Sequence, residues 1–461
     1  MIKKIAIIIV LSICSTSFAN ASPPDSTLNV IKKAEVKLLI SDGKKYYAAD
    51  NYKLALVKFR EALIISKKSA EANYWISECH LELTNFDISL KYAKIAESID
   101  PSISKELYYV IGQSQHRLGD LDNAIENYHY AIEKMSKADV KDFQIRQKIE
   151  ECERAKDMMK NGKDIKIEAL GININSKYDE YSPVLTNNGK TLYFSARKAE
   201  NEGGGYSSGD NKYFSDIFVS HWDESEKEWT KASNNKLSLD KINTLGFDDV
   251  AFITHDGQKL YYGINTEGIL DAKINTQSTD IYVSTLKDGE WTNPKPIDKK
   301  AINSIYFEAS PSFTKDGNTM YFISERIGGR GKADIWVSRL ENKRWSKPEN
   351  VGDKINTAQQ ETTVSVTPDG KYLFYSSQGH EGMGGYDVYV SRNENGVWSD
   401  PKNLGYPIND VSDETHFAYY PQFNKAYYSK ASSKKNKGIG RRDIFEIDLT
   451  NFDLEELFST P

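Results

Sequence analysis

The stretch Glu361-Thr-Thr-Val-Ser-Val-Thr-Pro-Asp-Gly-Lys-Tyr-Leu-Phe-Tyr-Ser376 reads as two short strands joined by a turn. β-Branched and aromatic residues alternate with polar ones on both sides of Asp369-Gly370, a dipeptide that favours a tight hairpin turn. The segment Asp387-Val-Tyr389 follows. Its aspartate, β-branched residue and aromatic residue predict the start of a third strand. This part of the chain is therefore predicted to be a small antiparallel sheet.

The same pattern occurs five times between Tyr178 and Ile447. Each copy has a carboxylate at the start of its first strand: Glu180, Asp248, Glu308, Glu361 and Glu414. Each third strand opens on an aspartate: Asp216, Asp280, Asp334, Asp387 and Asp443. Self-similarity at a period of roughly fifty residues is typical of radially stacked four-stranded blades. The sequence predicts a five-bladed antiparallel β-propeller, with six blades as the less favoured count.

Only four copies carry a fourth strand, which is marked by Trp229, Trp291, Trp345 or Trp398. The missing strand is predicted at 165–172, where Leu170-Gly171 repeats the Leu404-Gly405 that follows the last fourth strand. A strand from the N-terminal side that completes the last blade removes an open sheet edge. We therefore expect the propeller to span 165–449 and a short tail to occupy 450–461.

A second repeat, with helical spacing, precedes the propeller. Small residues recur every 34 or 35 positions, at Gly43, Ser77 and Gly112 and again at Ala62, Ala96 and Ala131. Small side chains at such positions let two antiparallel helices approach closely. The segment resembles about three tetratricopeptide repeats. We expect an α-solenoid over 28–160, in which the amphipathic stretch Val140 to Met159 caps the open end.

In tetratricopeptide arrays, the first helix of each repeat lines a concave groove. Alignment of the repeats places these residues there: Lys37, Lys44, Tyr47, Tyr74, Glu78, Leu81, Tyr109, Gln113, His116 and Arg117. Aromatic side chains mixed with both signs of charge suit an extended peptide or a partner helix. Glu78 departs from the all-basic clamp by which some members of the family hold a C-terminal carboxylate. The alternative is that some of these side chains simply solvate the groove.

The first-strand carboxylates are expected to form a ring near one mouth of the propeller channel. Such a ring could hold a calcium ion, a basic peptide or a sugar. A residue that recurs in every blade is more often a hydrogen-bond acceptor that builds the blade, and this interpretation is favoured. Glycine-rich loops and the basic residues Lys437, Arg441 and Arg442 are predicted on the same face, which is the expected binding surface. We predict no metal site and no cofactor.

Residues 1–21 have the features of a secretory signal: Lys3 and Lys4, a short apolar core, and the cleavage pattern Ala19-Asn-Ala21. Loss of the two lysines changes the formal net charge from −6 to −8. A negative chain is a poor partner for nucleic acid or an anionic membrane surface. No later apolar run is long enough to span a membrane. Lipidation at Cys14 is an alternative to cleavage after Ala21.

The segments Thr367-Pro-Asp-Gly-Lys-Tyr-Leu-Phe-Tyr-Ser376 and Ser310-Pro-Ser-Phe-Thr-Lys-Asp-Gly-Asn318 resemble the WD40-like repeats called PD40, as in the TolB propeller. Tetratricopeptide repeats before such a propeller are similar to Bacteroidota envelope proteins related to the PorE component of type IX secretion. The resemblance implies an exported scaffold in the periplasm or at the periplasmic face of the outer membrane, with protein partners there. We expect only indirect contact with peptidoglycan, because the OmpA-like domain of those proteins is not in this sequence.

An enzymatic function is the main alternative. Five-bladed propellers also carry glycosidases, in which carboxylates at the channel mouth act as acid and base. Such carboxylates need unlike environments that separate their pKa values, whereas the five in this sequence are alike. No nucleophile elbow, zinc-binding helix or phosphate loop is present. The sequence favours a non-enzymatic scaffold, with a glycan-binding or glycoside-hydrolysing propeller as the alternative.

Overall fold

The computed structural model describes residues 25–207, 210, 212–234, 239–431 and 436–459. The predicted signal sequence, with Cys14, lies outside these residues. The helices are α1 (Asp25–Tyr47), α2 (Tyr52–Ile65), α3 (Ala70–Glu82), α4 (Phe86–Ile99), α5 (Leu107–Arg117), α6 (Leu121–Lys134), α7 (Lys137–Asp142), α8 (Ile145–Lys160) and α9 (Glu456–Ser459). Helices α1 to α6 pack as three consecutive antiparallel pairs. The predicted α-solenoid of about three tetratricopeptide repeats is confirmed.

The small residues of the helical repeat stand where paired helices are closest. A Cβ atom on Gly43 would lie 2.4 Å from Cε1 of Phe59, and one on Gly112 would lie 2.9 Å from Cδ1 of Tyr128. Both aromatic rings are fully buried between the helices of their repeat. A larger side chain at either glycine would force the pair apart, which explains the spacing seen in the sequence.

The predicted capping stretch consists of two helices rather than one. Ser136 caps α7 by accepting a hydrogen bond from the Asp139 backbone N–H, while the Asp139 side chain accepts from the Ser136 N–H. Gln144 then takes a left-handed conformation, with φ of 53°, between α7 and α8. Helix α8 buries Ile145 and Cys152 in the core that it shares with α6. This turn at Gln144 changes the direction of the chain between α7 and α8.

Five antiparallel sheets follow the helices, and the predicted five-bladed propeller is confirmed. Blade one has β2 (Glu180–Leu185), β3 (Thr191–Ala196), β4 (Asp216–Asp223) and β5 (Glu228–Trp229); blade two has β6 (Phe247–Ile253), β7 (Lys259–Asn265), β8 (Asp280–Lys287), β9 (Glu290–Trp291) and β10 (Lys295–Pro296). Blade three has β11 (Glu308–Phe313), β12 (Thr319–Ser324), β13 (Asp334–Glu341), β14 (Arg344–Trp345) and β15 (Glu349–Asn350); blade four has β16 (Glu361–Val366), β17 (Tyr372–Ser377), β18 (Asp387–Glu394), β19 (Val397–Trp398) and β20 (Lys402–Asn403). Blade five has β21 (Glu414–Tyr420), β22 (Lys425–Ala431) and β23 (Arg442–Asp448).

The strand that completes blade five comes from the start of the propeller. It is β1 (Lys166–Ala169), which pairs antiparallel with β23, from Lys166 opposite Asp448 to Ala169 opposite Phe445. The regular strand is shorter than the predicted 165–172, although the Leu170 N–H still donates to the Ile444 carbonyl at 2.9 Å. First and last parts of the propeller are thereby joined in one sheet, so the ring has no open edge.

One asparagine in each blade replaces a missing strand partner. The side chain of Asn356 accepts from the Ile335 N–H at 2.8 Å and donates to the Ile335 carbonyl at 2.9 Å. The same two bonds to the residue after the third-strand aspartate are made by Asn175, Asn243, Asn303 and Asn409. The amide side chains thus satisfy buried backbone groups at the point where the fourth strand turns away.

Among the described residues, no helix combines the length and the apolar composition that a membrane span requires.

Candidate partner-binding site

The five ring carboxylates are buried where each inner strand begins. Each has an exposed fraction of 0%. Glu361 shows the common pattern, because its carboxylate accepts from the Thr357 N–H at 3.2 Å, the Thr357 hydroxyl at 2.8 Å and the Ser377 hydroxyl at 2.8 Å. Glu180, Asp248, Glu308 and Glu414 accept comparable bonds from the loop four residues upstream or from Ser412. These groups therefore hold the loop that enters each blade as hydrogen-bond acceptors, which is the role that the sequence analysis favoured over a binding ring.

Three of these carboxylates also have a basic partner within their own blade. Their distances to the partner nitrogen are 3.2 Å in each case: Glu180 with Lys198, Glu308 with Arg326 and Glu414 with Lys430. No ion pair to Asp248 or Glu361 occurs within the described ranges. Burial accordingly raises the pKa of Glu361 to about 7. Identical positions in the repeat thus have unlike charge environments, which the sequence pattern alone did not separate.

The third-strand aspartates close the loop between the second and third strands. Asp334 accepts from the backbone N–H groups of Arg330 and Gly331, and Asp443 accepts from those of Ile439 and Gly440. Loops that would otherwise leave backbone donors unsatisfied are thereby fixed at one face of the propeller. These aspartates therefore position the surface that meets the helical domain.

The helical domain packs onto that same propeller face. His116 of α5 lies 2.9 Å from the Met383 carbonyl, through its Nε2 atom. Nearby, Arg154 of α8 donates to the Gly382 carbonyl at 3.2 Å. Met383 and Val411 are buried in one apolar cluster with α6 and α8. Contrary to our expectation, the face with the glycine-rich loops is covered at blades four and five by the chain's own helices.

Two residues predicted for the partner groove belong to this contact between domains. His116 is completely buried, and burial lowers its pKa to about 4. The Arg117 guanidinium lies 2.8 Å from the Asp413 carboxylate at the entry to blade five. The assignment of His116 to a free partner-binding surface is therefore corrected, whereas Arg117 is ion-paired with the propeller but still lines the groove cavity. The repeat alignment correctly indicated the concave side of α5 but not that the propeller faces it.

The rest of the groove forms a cavity of about 640 Å³ between the repeats and the propeller. Of the predicted residues, Tyr47, Tyr74, Glu78, Leu81, Tyr109, Gln113 and Arg117 line it. Lys37 and Lys44 do not line it. Lys37 is exposed, and Lys44 lies 2.5 Å from Glu71 with its ammonium 5.1 Å from the centre of the Trp75 ring. The structure thus places the predicted aromatic residues in the cavity lining and the two predicted lysines outside it.

Glu78 is the central charged group of this cavity. Its carboxylate accepts hydrogen bonds from the hydroxyls of Tyr74 and Tyr47, the latter at 3.4 Å. Burial raises the pKa of Glu78 to about 7, and the charges of Glu82 and Glu106 add to the increase. Burial also raises the pKa of both tyrosines. The site therefore combines aromatic rings with a carboxylate, Glu78, for which the described residues provide no ion pair.

Several lining residues were missed by the sequence analysis. The helical domain contributes Trp75, Glu82, Thr84, Phe86, Ser104, Glu106 and Phe143. The propeller contributes Gln378 and Asp413. Trp75 and Glu82 lie in the same helix as Tyr74 and Glu78. A prediction that included more of the α3 surface would therefore have found them. Gln378 and Asp413 have no such signal, because only the packing of two domains brings them to the groove.

A second cavity, of about 190 Å³, lies in the propeller channel and opens among the hairpin turns of the first and second strands. Its lining includes Phe252, Phe313, Ser310 and His416 and none of the five ring carboxylates. Burial lowers the pKa of His416 to about 3. This cavity lies on the face opposite the helical domain, where we had predicted only turn residues.

Within the described ranges, no group of three or more His, Cys, Asp or Glu side chains is arranged to hold a metal ion. The fourth-strand tryptophans contribute to packing. Trp291 lies 6.1 Å from Tyr193 and Trp398 lies 5.8 Å from Tyr321, measured between ring centres, and both pairs join adjacent blades. Neither pair lies in the cavity lining.

No protein-family profile and no curated protein matches the chain. Solved structures match its helical part. The Yersinia enterocolitica type III secretion chaperone SycD, in complex with a peptide of the translocator YopD, is 14% identical over 26% of this chain and 94% of that chain, with a TM-score of 0.24. MamA is 21% identical over 28% of this chain and 74% of that chain, also at 0.24. A Thermobaculum terrenum O-GlcNAc transferase mutant is 18% identical over 26% and 22%, at 0.24. Likeness at these scores carries no argument about the activity of this chain.

Proposed function

We propose that this protein is a non-enzymatic, exported scaffold that binds protein partners of the bacterial cell envelope. A tetratricopeptide-like solenoid and a propeller together make a protein–protein interaction module. The observation that carries the proposal is the cavity of about 640 Å³, where the groove aromatics face Gln378 and Asp413 of the propeller. In this account an extended segment of a partner occupies the cavity, while exposed propeller surfaces provide a second docking area.

The environment of the ring carboxylates supports a non-enzymatic role. A general acid or base must come within hydrogen-bond reach of its substrate. Glu308 instead accepts bonds from Ser304, Ser324 and Arg326 and has no exposed surface. Its equivalents in the other blades are equally buried. The blade geometry thus uses these groups as acceptors for its own loops.

Export is supported by the charged, apolar and small-residue segments of 1–21. The similarity of the repeat order to envelope proteins of Bacteroidota supports a place in the periplasm or at the outer membrane. Within that setting the scaffold would serve an outer-membrane secretion or gliding complex. Contact with peptidoglycan would then pass through a partner.

A second candidate is glycan binding or hydrolysis at the propeller, and the channel cavity supports the binding part of it. Aromatic rings of Phe252 and Phe313 and the hydroxyl of Ser310 line a space of about 190 Å³. Sugar rings stack on aromatic faces and hydrogen-bond to hydroxyls, so a glycan chain end suits this chemistry. Polysaccharide hydrolysis by the purified chain, lost in His416→Ala but kept in Glu82→Gln, would favour this candidate over the scaffold.

Site-specific photo-crosslinking in the producing cells tests the scaffold. A benzoylphenylalanine at Glu82, which is exposed and lines the groove cavity, should give discrete adducts with envelope proteins. The matched control is the same probe at Glu133, which is exposed on α6 and lies outside the cavity lining. Adducts at Glu82 and not at Glu133 support the proposal. Equal adducts at both positions, or none at Glu82, would refute it.

A further inference from the structure

We propose that the groove cavity recognises a basic, extended segment of its partner, and that a lysine or arginine of this segment binds Glu78 between Tyr47 and Tyr74. The inference rests on the proposed function, because it specifies the chemistry of the partner at the same site. It concerns the charge of the ligand, which the fold of the repeats does not determine.

The described residues supply Glu78 with hydrogen bonds but with no cation. Two tyrosine hydroxyls donate to its carboxylate. Three cations near the groove pair with other carboxylates: Lys44 with Glu71 at 2.5 Å, Lys105 with Glu106 at 3.7 Å and Arg117 with Asp413 at 2.8 Å. Within the described part of the chain, no ion pair includes Glu78. A partly buried carboxylate without a counter-charge is costly, so a bound cation would be stabilised here.

The walls of the cavity add to this preference. Four carboxylates and one guanidinium line it, so its field favours positive charge. Glu82 and Glu106 are close enough to raise the pKa of Glu78 further after burial has raised it. A positively charged group placed among these residues would relieve their mutual repulsion. An acidic segment would increase that repulsion, which distinguishes this groove from a carboxylate clamp.

Aromatic rings surround the position next to Glu78. Tyr47 and Tyr74 both meet Trp75 edge to face, with ring centres 5.1 Å and 5.4 Å apart. Ammonium and guanidinium groups bind well over the faces of such rings, and their aliphatic stems pack on the same surfaces. A volume of about 640 Å³ accommodates such a side chain together with its flanking backbone. The charge and the shape of the cavity thus both suit a basic, extended segment.

Selection from a displayed library of random nonapeptides on the purified full chain tests the proposal. The recovered peptides should be enriched in lysine or arginine at one central position. Synthetic versions should lose about tenfold or more in affinity on Glu78→Gln, because the charge-assisted contact is lost. Glu82→Gln, at an exposed position, should cause a smaller loss in the same direction. Glu133→Gln removes one carboxylate outside the cavity and should leave affinity unchanged.

The possible results separate this inference from the proposed function. Groove-binding peptides without basic residues, or basic peptides that bind Glu78→Gln as well as wild type, overturn the basic-segment inference alone. A peptide counts as groove-binding when it reduces the photo-crosslinking of the partner to the probe at Glu82. Failure to recover any peptide that competes there overturns both the inference and the groove as a peptide site. A thermal unfolding curve of Glu78→Gln shows whether the variant is folded, and Glu82→Gln supplies the test if it is not.

Discussion

The Arg117 guanidinium of the third helical repeat lies 2.8 Å from the Asp413 carboxylate at the entry to blade five. Both side chains are largely buried, with 9% and 20% of their surface exposed. Gly385 of the blade-four loop leaves room for them, since a Cβ there would lie 2.1 Å from Asp413 Oδ1 and 2.3 Å from Arg117 Nη1. The pair joins segments far apart in sequence and fixes the wall of the groove cavity.

We expect Arg117→Ala to lower the free energy of unfolding by about 2–4 kcal/mol, because Asp413 would remain buried without its cation. Urea denaturation measures the loss, and limited proteolysis near residues 160–166 should become faster as the domains separate. Lys190→Ala is the control, since Lys190 forms an exposed pair with Glu224 at 3.2 Å and should lose at most about 1 kcal/mol. Similar losses in the two variants would show that the buried pair does not join the domains.

Asn356→Ala tests the asparagine that replaces a strand partner. The change removes bonds to both backbone groups of Ile335 and to Asn350. We expect a loss of about 2–4 kcal/mol in the free energy of unfolding, because buried donors and acceptors are left unsatisfied. Asn161→Ala, at an exposed helix end, should change it by about 0.5 kcal/mol or less. A loss at Asn356 no greater than at Asn161 would contradict the role given to these side chains.

Glu308→Gln and Glu361→Gln should differ, although the two residues occupy the same place in the repeat. Glu308 pairs with Arg326 at 3.2 Å, so its neutralisation leaves a largely buried guanidinium without a counter-charge. We expect a loss of roughly 1–3 kcal/mol at pH 8 for Glu308→Gln. Glu361 has hydroxyl and backbone donors but no basic partner among the residues that the structure describes, so its Gln variant should be as stable as wild type or more stable. Equal destabilisation in urea would contradict the charge environments of the blades.

The raised pKa of Glu361 also predicts a pH dependence. Burial raises this pKa from 4.5 to about 7, so the folded state binds the proton more tightly than the unfolded state. This contribution to stability is complete below the unfolded pKa and is lost as pH rises through about 7. Glu361→Gln, which cannot ionise, should therefore gain stability relative to wild type as pH rises from 4.5 to about 7, and the difference should be constant above that range. A difference between the two proteins that does not change with pH would exclude this linkage.

Much of the fold could be predicted from the sequence because each blade and each helix pair repeats its own local signals. The carboxylate, the turn glycine and the third-strand aspartate recur at fixed spacing, and Gly43 and Gly112 mark close helix contacts. The groove was partly predictable for the same reason, since Tyr74 and Glu78 share one face of α3. The error at His116 arose from packing between domains: its partner, Met383, is 267 residues away and has no repeat signal.

The repeat pattern favoured an acceptor role for the ring carboxylates but could not establish that they are buried. A recurring Glu at the start of an inner strand is compatible with an open acidic ring or with an occluded acceptor. The choice depends on whether the preceding loop turns its N–H groups toward the side chain, as Ser304 does for Glu308 at 2.8 Å. Such a turn is fixed by the three-dimensional path of the loop, which repeat spacing does not specify.

Hydrogen–deuterium exchange of the full chain, with and without the partner captured at Glu82, tests the central claim most directly. The account predicts slower exchange in the helical segments that line the groove, at residues 74–86 and 104–113, together with the propeller loop around Gln378. Protection confined to the hairpin turns around His255 and Lys315, with no change in the groove segments, would contradict it. The partner would then bind at the channel cavity, and the groove would not be the binding site.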